Sequence, residues 1–155
     1  MRVENDILIP ELARLIAEEK EVRFTPSGVS MRPFIEGDKD SVILAPITRL
    51  PKIGDIVLAR ALTPDGRKTY VLHRIIRFER DETGETVYIL MGDGNLAGEE
   101  ICTGADIIGR VVCIENPAGK PKLLTRGRLW SFLRPCRKYL LKLYRHTYLK
   151  LYENN

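Results

Sequence analysis

Ser30 and His73 are the residues whose types and surroundings are most typical of catalysis. Ser30 lies in the turn-forming segment Gly28-Val-Ser-Met-Arg-Pro33, and His73 lies in the strand-like segment Val71-Leu-His-Arg-Ile75. A serine hydroxyl becomes a nucleophile when a neighbouring base accepts its proton and donors stabilise the oxyanion that forms. Gly-containing turns expose the hydroxyl, and Pro33 fixes the backbone just after it. The pair therefore predicts a Ser30 nucleophile with His73 as its general base.

Each of these residues also has a purely structural interpretation. Serines beside Gly and Pro are most often turn residues, and a single histidine in a strand is most often a packing residue. Lys68 is another basic residue near His73, but alternation of side chains along a strand puts residues 69, 71, 73 and 75 on one face and Lys68 on the other. His73 is therefore the better candidate for the base.

The elements that must position these residues are mostly strands. Residues 6–20 are predicted to form a helix, with apolar residues at helical spacing and Pro10 in its first turn. From residue 21 to residue 115, short β-branched runs alternate with Gly, Pro and Asp, which is typical of strands and turns. The predicted strands are residues 21–25, 41–45, 55–61, 69–79, 86–91 and 107–114. Because no helix-length segment separates them, we expect a coiled, mostly antiparallel sheet or a partly open barrel.

Composition divides the chain into three segments. We expect an N-terminal helix over residues 1–20, a β domain over residues 21–119 and a basic amphipathic tail over residues 120–155. The net charge of the whole chain is +4, but residues 1–119 carry −5 and the tail carries +9. The basic character therefore belongs to the tail and not to the β domain.

The tail has two interpretations. It is predicted to be helical from Leu129 to Tyr152, with Lys138, Lys142 and Arg145 on one face. Such a segment either lies on an anionic membrane surface or packs its apolar stripe on the β domain or a partner. The aromatic residues expected at a membrane interface are Trp130, Phe132, Tyr139 and Tyr144. No nucleic-acid-binding motif accompanies the charge, so nucleic acid is not an expected partner.

Composition also argues against several classes of protein. No apolar stretch approaches the roughly 20 residues that a membrane-spanning helix needs. No signal-peptide pattern is present, so we expect a cytoplasmic protein, either free or peripheral on the inner face of the membrane. Cys102, Cys113 and Cys136 are odd in number and widely spaced, which predicts reduced thiols and neither a disulfide framework nor a metal site.

Several short motifs occur in an order that resembles the type I signal peptidase superfamily, which includes the self-cleaving domains of SOS and phage repressors. The motifs are Ser30-Met-Arg-Pro33, Gly37-Asp38, Gly54-Asp-Ile-Val-Leu58, His73-Arg-Ile75 and Gly92-Asp-Gly-Asn95. The resemblance covers roughly residues 22–115. It implies a signal-peptidase-like fold, endoproteolysis by a serine nucleophile, and no metal or organic cofactor. Bacterial members use a lysine base, and His73 at that position is similar to the endoplasmic-reticulum and archaeal branch.

The resemblance also implies a third group beside the base. A carboxylate should hold the imidazole of His73 in the tautomer that accepts the serine proton. Asp93 in the last motif is the first choice for this role. Three nearby acids are alternatives, namely Glu99, Glu100 and Asp106.

These residues predict a serine endopeptidase that cuts another peptide or precursor protein, with the substrate added beside a β-strand. The resemblance implies that it cuts after small residues. With 29 residues before Ser30, self-cleavage is not expected. Gly28 stands where many members of the superfamily carry a serine or threonine donor, so the oxyanion would depend on the Ser30 N–H or on Ser27. Two other functions remain open: a non-catalytic peptide-binding scaffold of the same fold, and a membrane-surface adaptor acting through the tail.

Overall fold

The fold is mainly antiparallel β, with a helix before the strands and another after them in the chain. The structure is a computed structural model that describes residues 5–124, 133 and 136–152. Its elements in chain order are α1 (Asn5–Ala17), β1 (Val22–Phe24), β2 (Ser41–Ala45), β3 (Ile56–Leu62), β4 (Lys68–Arg80), β5 (Thr86–Met91), β6 (Glu100–Thr103), a 3₁₀ turn (Gly104–Asp106), β7 (Ile107–Glu115), β8 (Pro121–Lys122) and α2 (Arg137–Tyr152).

The strands of this described part form one sheet. Their order is β1-β2-β7-β3-β4-β5-β6, with β8 paired to β7, and every pairing is antiparallel. Leu62 of β3 also pairs with Ile101 of β6, so β3, β4, β5 and β6 form a closed circuit of pairings. The expectation of a mainly β, antiparallel structure is confirmed.

Strand β3 divides the core in two because it is buried on both faces. Ile56 and Leu58 point into a cluster that α1 covers, whereas Val57 and Ala59 point into a second cluster on the opposite face. Successive side chains of a strand alternate between faces, so one strand serves both clusters. The α1 side chains in the first cluster are Ile9, Leu12 and Ile16.

The predicted strands agree with the observed ones to within about two residues, because turn residues mark their ends. Gly66 in the turn between β3 and β4 and Gly84 in the turn between β4 and β5 have φ values of 82° and 83°. Strands β6 and β8 were not predicted, and β8 begins just after the predicted domain boundary at residues 119–120. Helix α1 begins at Asn5, so Pro10 lies beyond the first turn where it was expected.

The segment that carries Ser30 is a loop closed at its base. The N–H of Asp38 donates to the carbonyl oxygen of Pro26 at 2.8 Å. Beside this contact, a Cβ atom added to Gly37 would lie only 1.9 Å from the carbonyl oxygen of Gly28. No side chain fits there, so the Gly37-Asp38 motif closes the loop that presents Ser30.

Substituting Gly37→Ala should open this closure. We expect the free energy of unfolding to fall by about 1–3 kcal/mol, since the added methyl group meets backbone atoms that cannot rotate away. Urea unfolding followed by circular dichroism measures the change. Gly104→Ala is the matched control, because its added Cβ meets no atom closer than 3.9 Å. Equal stability of the two variants would show that the loop is not held in this way.

Candidate active site

Ser30, His73 and Glu100 form a chain of hydrogen bonds. Ser30 Oγ lies 3.0 Å from His73 Nε2, and His73 Nδ1 lies 2.9 Å from Glu100 Oε2. The serine comes from the loop before β2, the histidine from β4 and the glutamate from β6. His73 and Glu100 are buried, whereas Ser30 is half-buried. The fold therefore brings together the two residues that the sequence singled out, 43 positions apart.

The buried carboxylate of Glu100 determines which ring nitrogen of His73 carries the proton. An ionised carboxylate only accepts hydrogen bonds, so Glu100 is satisfied when His73 Nδ1 carries the proton. The other ring nitrogen, Nε2, then presents its lone pair to the Ser30 hydroxyl. The same carboxylate would stabilise the imidazolium that forms when Nε2 takes a proton.

The structure corrects the expectation that Asp93 orients His73. The Asp93 carboxylate forms two hydrogen bonds with the Arg74 guanidinium, at 2.8 Å from Nε and 2.7 Å from Nη2. Arg74 also donates to the carbonyl oxygen of Gly54 at 2.7 Å. Neighbouring side chains of β4 point to opposite faces, so Arg74 contacts Asp93 on one face and His73 contacts Glu100 on the other. Glu100, which was an alternative in the sequence, occupies the predicted position of the third group.

The Gly92–Asn95 segment supports the nucleophile turn instead. The N–H of Gly94 donates to the carbonyl oxygen of Ser30 at 2.7 Å. A Cβ atom added to Gly92 would lie 2.5 Å from that same oxygen, so only glycine allows this approach. The ion pair between Arg74 and Asp93 thus fixes the segment on which the Ser30 turn rests.

The remaining charged candidates have other partners. Glu99 accepts a hydrogen bond from Arg77 at 2.7 Å. The backbone N–H of Thr103 holds the pKa of Asp106 below its ordinary value, although partial burial opposes this effect. Lys68 lies 3.8 Å from Asp106 and is exposed.

A pocket of about 280 Å³ opens beside Ser30 and His73. Its lining residues come from the Ser30 loop and from β4: Pro26, Ser27, Gly28, Ser30, Met31, Ile35, Gly37, Tyr70, Val71, Leu72 and His73. Strand β3 pairs with β4 over Lys68–Arg74, whereas β5 pairs with β4 only from Arg74 onwards. The edge of Tyr70–Leu72 that lies away from β3 therefore borders the pocket.

Helix α2 begins close to the support of the nucleophile turn. Arg137 is buried, with Nη1 3.7 Å from Met91 Sδ and Nη2 3.8 Å from Asp93 Oδ1.

Trp130 and Phe132, expected at a membrane interface, lie outside the described residues. Among the residues that are described, the helices are too short or too polar to span a bilayer.

The three cysteines are free thiols, and their environments differ. Cys102 is buried, Cys113 is half-buried and Cys136 is exposed. Burial, with a smaller contribution from the charge of Asp106, raises the pKa of Cys102 to about 12. Cys102 therefore behaves as a core residue of β6, on the same strand face as Glu100.

Comparisons with models of known protein families, with curated proteins and with solved structures gave no match. The chemistry of the site is therefore inferred from its own residues and geometry.

The sequence offered Glu100 only as one of the alternatives to Asp93, because β6 was not predicted. In β6 the charged Glu100 is buried and the apolar Ile101 is exposed, so the sequence lacks the polar–apolar alternation that identifies a strand.

The tautomer of His73 tests the contact with Glu100. We expect neutral His73 to carry its proton on Nδ1, and Glu100→Gln to shift the proton towards Nε2, because an amide N–H can donate to Nδ1. Nitrogen-15 NMR of the imidazole reads the tautomer directly. The chain has two histidines, so the measurement uses a His146→Asn background in which His73 is the only imidazole.

Glu99→Gln is the matched control for this experiment. It removes the same charge one residue away, from a carboxylate that binds Arg77. The Nδ1–H tautomer should persist in this variant. An identical tautomer in the native protein and in Glu100→Gln would contradict the proposed orientation of the ring.

Asp93→Asn separates support of the fold from orientation of the base. Removing one partner of a buried ion pair leaves the other charge uncompensated, so we expect the free energy of unfolding to fall by about 3–5 kcal/mol. The His73 tautomer should stay unchanged in the molecules that remain folded. Glu11→Gln, which breaks an exposed pair with Arg14, should hardly move the urea midpoint. A shift of the tautomer in Asp93→Asn would restore Asp93 as the partner of His73.

Proposed function

We propose that the protein is a serine endopeptidase in which Ser30 is the nucleophile, His73 the general base and Glu100 the group that orients the base. The observation that carries this proposal is the chain Ser30 Oγ–His73 Nε2–Glu100, with separations of 3.0 Å and 2.9 Å. The chain ends on the pocket, so the hydroxyl is accessible to a substrate. A nucleophile, a base and an orienting carboxylate in this order are the parts that acyl transfer requires.

In this mechanism His73 Nε2 accepts the Ser30 proton as Oγ bonds to the carbonyl carbon of the peptide. The tetrahedral intermediate collapses when the imidazolium gives that proton to the departing amine, which leaves an acyl group on Ser30. Water then attacks the ester, with His73 again as base, and releases the second product. Glu100 holds the Nδ1 proton throughout and stabilises the imidazolium in both steps.

The oxyanion requires donors on the side of the pocket that faces Ser30. The backbone N–H of Ser30 and the hydroxyl of Ser27 are the groups we assign to this role, since Ser27 and Gly28 line the pocket beside the nucleophile. Gly28 itself has φ +93° and offers no side-chain donor. Ser27 would then replace the donor that many members of the signal peptidase superfamily carry two residues before the nucleophile.

The substrate would be an extended peptide lying between the Pro26–Gly28 segment and the edge of Tyr70–Leu72. A strand edge binds a peptide through main-chain hydrogen bonds, and side-chain pockets then select residues. The pocket floor includes the apolar residues Met31 and Ile35. Cleavage after small residues is the specificity that the resemblance implies.

The resemblance to the signal peptidase superfamily is supported by the position of each motif around the site. Gly37-Asp38 closes the nucleophile loop, Gly54 accepts a hydrogen bond from Arg74, and Gly92–Asn95 supports Ser30. Motifs of a shared active site are expected to converge in this way. We therefore propose that the sheet is of the signal-peptidase-like type.

Digestion of a peptide library tests the proposed activity. We expect the native protein to produce defined cleavage sites, detected by mass spectrometry, and Ser30→Ala or His73→Asn to lower kcat/KM by on the order of 10⁴-fold or more. Ser41→Ala is the matched control, because Ser41 lies in β2 and its hydroxyl pairs with that of Thr25. This control should retain full activity.

Two results would contradict proteolysis at this site. One is equal cleavage by the native protein and by Ser30→Ala, which would indicate a contaminating peptidase. The other is no cleavage by the native protein together with peptide binding that depends on the pocket residues. That second result would favour the non-catalytic peptide-binding scaffold.

A further inference from the structure

Helix α2 has two different faces. Leu141 is 2% exposed and, with Arg137, holds the helix against the rest of the chain. On the other side, Tyr139 is 76% exposed and Leu143 is 64% exposed. Residues four positions apart lie next to each other on a helix, so these two form an apolar pair on the outer surface.

Positive charge surrounds this apolar pair. Lys138, Lys142 and Arg145 are all exposed, and the sequence of α2 contains no acidic residue. Among the described residues, no carboxylate forms an ion pair with any of these three cations. Their charge is therefore available to an external partner.

The outer face of α2 continues onto the loop that follows the Gly92–Asn95 segment. Leu96, which is 51% exposed, lines the same cavity of about 200 Å³ as Met91, Arg137 and Lys138. Leu96 follows the segment whose Gly94 N–H donates to the carbonyl oxygen of Ser30. The exposed apolar residues thus begin near the nucleophile turn and extend along α2.

We propose that this surface, consisting of Leu96, Lys138, Tyr139, Lys142, Leu143 and Arg145, binds the surface of an anionic lipid bilayer. Exposed apolar residues beside exposed cations fit the bilayer interface, where rings and aliphatic chains enter the headgroup region and cations meet phosphates. Duplex DNA would use the cations, but its stacked bases offer no apolar layer for Tyr139 and Leu143 to enter. The proposal is independent of peptidase activity.

Vesicle co-sedimentation of the full chain tests the surface. We expect binding to vesicles of phosphatidylcholine mixed with phosphatidylglycerol, and much weaker binding to phosphatidylcholine alone. Lys138→Gln with Lys142→Gln should weaken binding to the anionic vesicles about 30-fold, since each basic residue near the surface contributes to attraction. Tyr139→Ser with Leu143→Ser should weaken it about 10-fold or more.

Matched controls show that the effect belongs to this surface. Leu50→Ser removes an exposed apolar side chain elsewhere, and Lys20→Glu reverses an exposed charge near α1, so both should bind vesicles as the native protein does. Circular dichroism confirms that each variant is folded. Both pairs of substitutions lie on the exposed face, so either pair can test the proposal if the other fails to fold.

The outcomes are distinguishable from those of the proposed function. Ser30→Ala should bind anionic vesicles like the native protein although it does not cleave peptides. No vesicle binding by the native protein would overturn the proposal, even if peptides in solution are cleaved normally. Vesicle binding that is unchanged in the double variant Tyr139→Ser with Leu143→Ser would also overturn it. So would equally tight binding of DNA that this double variant leaves unchanged.

Discussion

The buried ion pair between Arg74 and Asp93 is the contact on which the candidate site depends. It joins β4, which carries His73, to the turn that supports Ser30. The carbonyl oxygen of Gly54 accepts a further hydrogen bond from Arg74. Removing two charges from water is costly, and two-point hydrogen bonding is what offsets that cost. The pair therefore adds little net stability but permits one relative position of the strand and the turn. The separation of Ser30 and His73 follows from that position.

Strand β4 performs two tasks because its side chains alternate. His73 faces Ser30 and Glu100, and Arg74 faces the supporting turn on the other side. A slip of one residue in the pairing of β3 with β4 would exchange these two side chains. Such a slip would remove the Arg74 guanidinium from Asp93 and the His73 imidazole from Ser30, so the site depends on the observed register.

The same turn also locates helix α2. Arg137 lies 3.8 Å from Asp93, and Met91 and Leu96 border the first turn of the helix. The nucleophile turn and α2 consequently share one support. If the outer face of α2 lies on a bilayer, the candidate active site is held at a fixed distance from the lipid surface, which would favour substrates that are themselves at the membrane.

The sequence by itself determined the candidate nucleophile, the candidate base and most of the strands, because turn residues and short motifs are local signals. It did not determine the third member of the site. Asp93 stands in a recognisable motif, but the guanidinium that binds it comes from a residue 19 positions away. Glu100 lies in a four-residue strand that is stabilised by pairing with β5 and β3, and such pairing has no local signature. Only the tertiary structure could decide between the two carboxylates, because burial and distance are set by strands far apart in the chain.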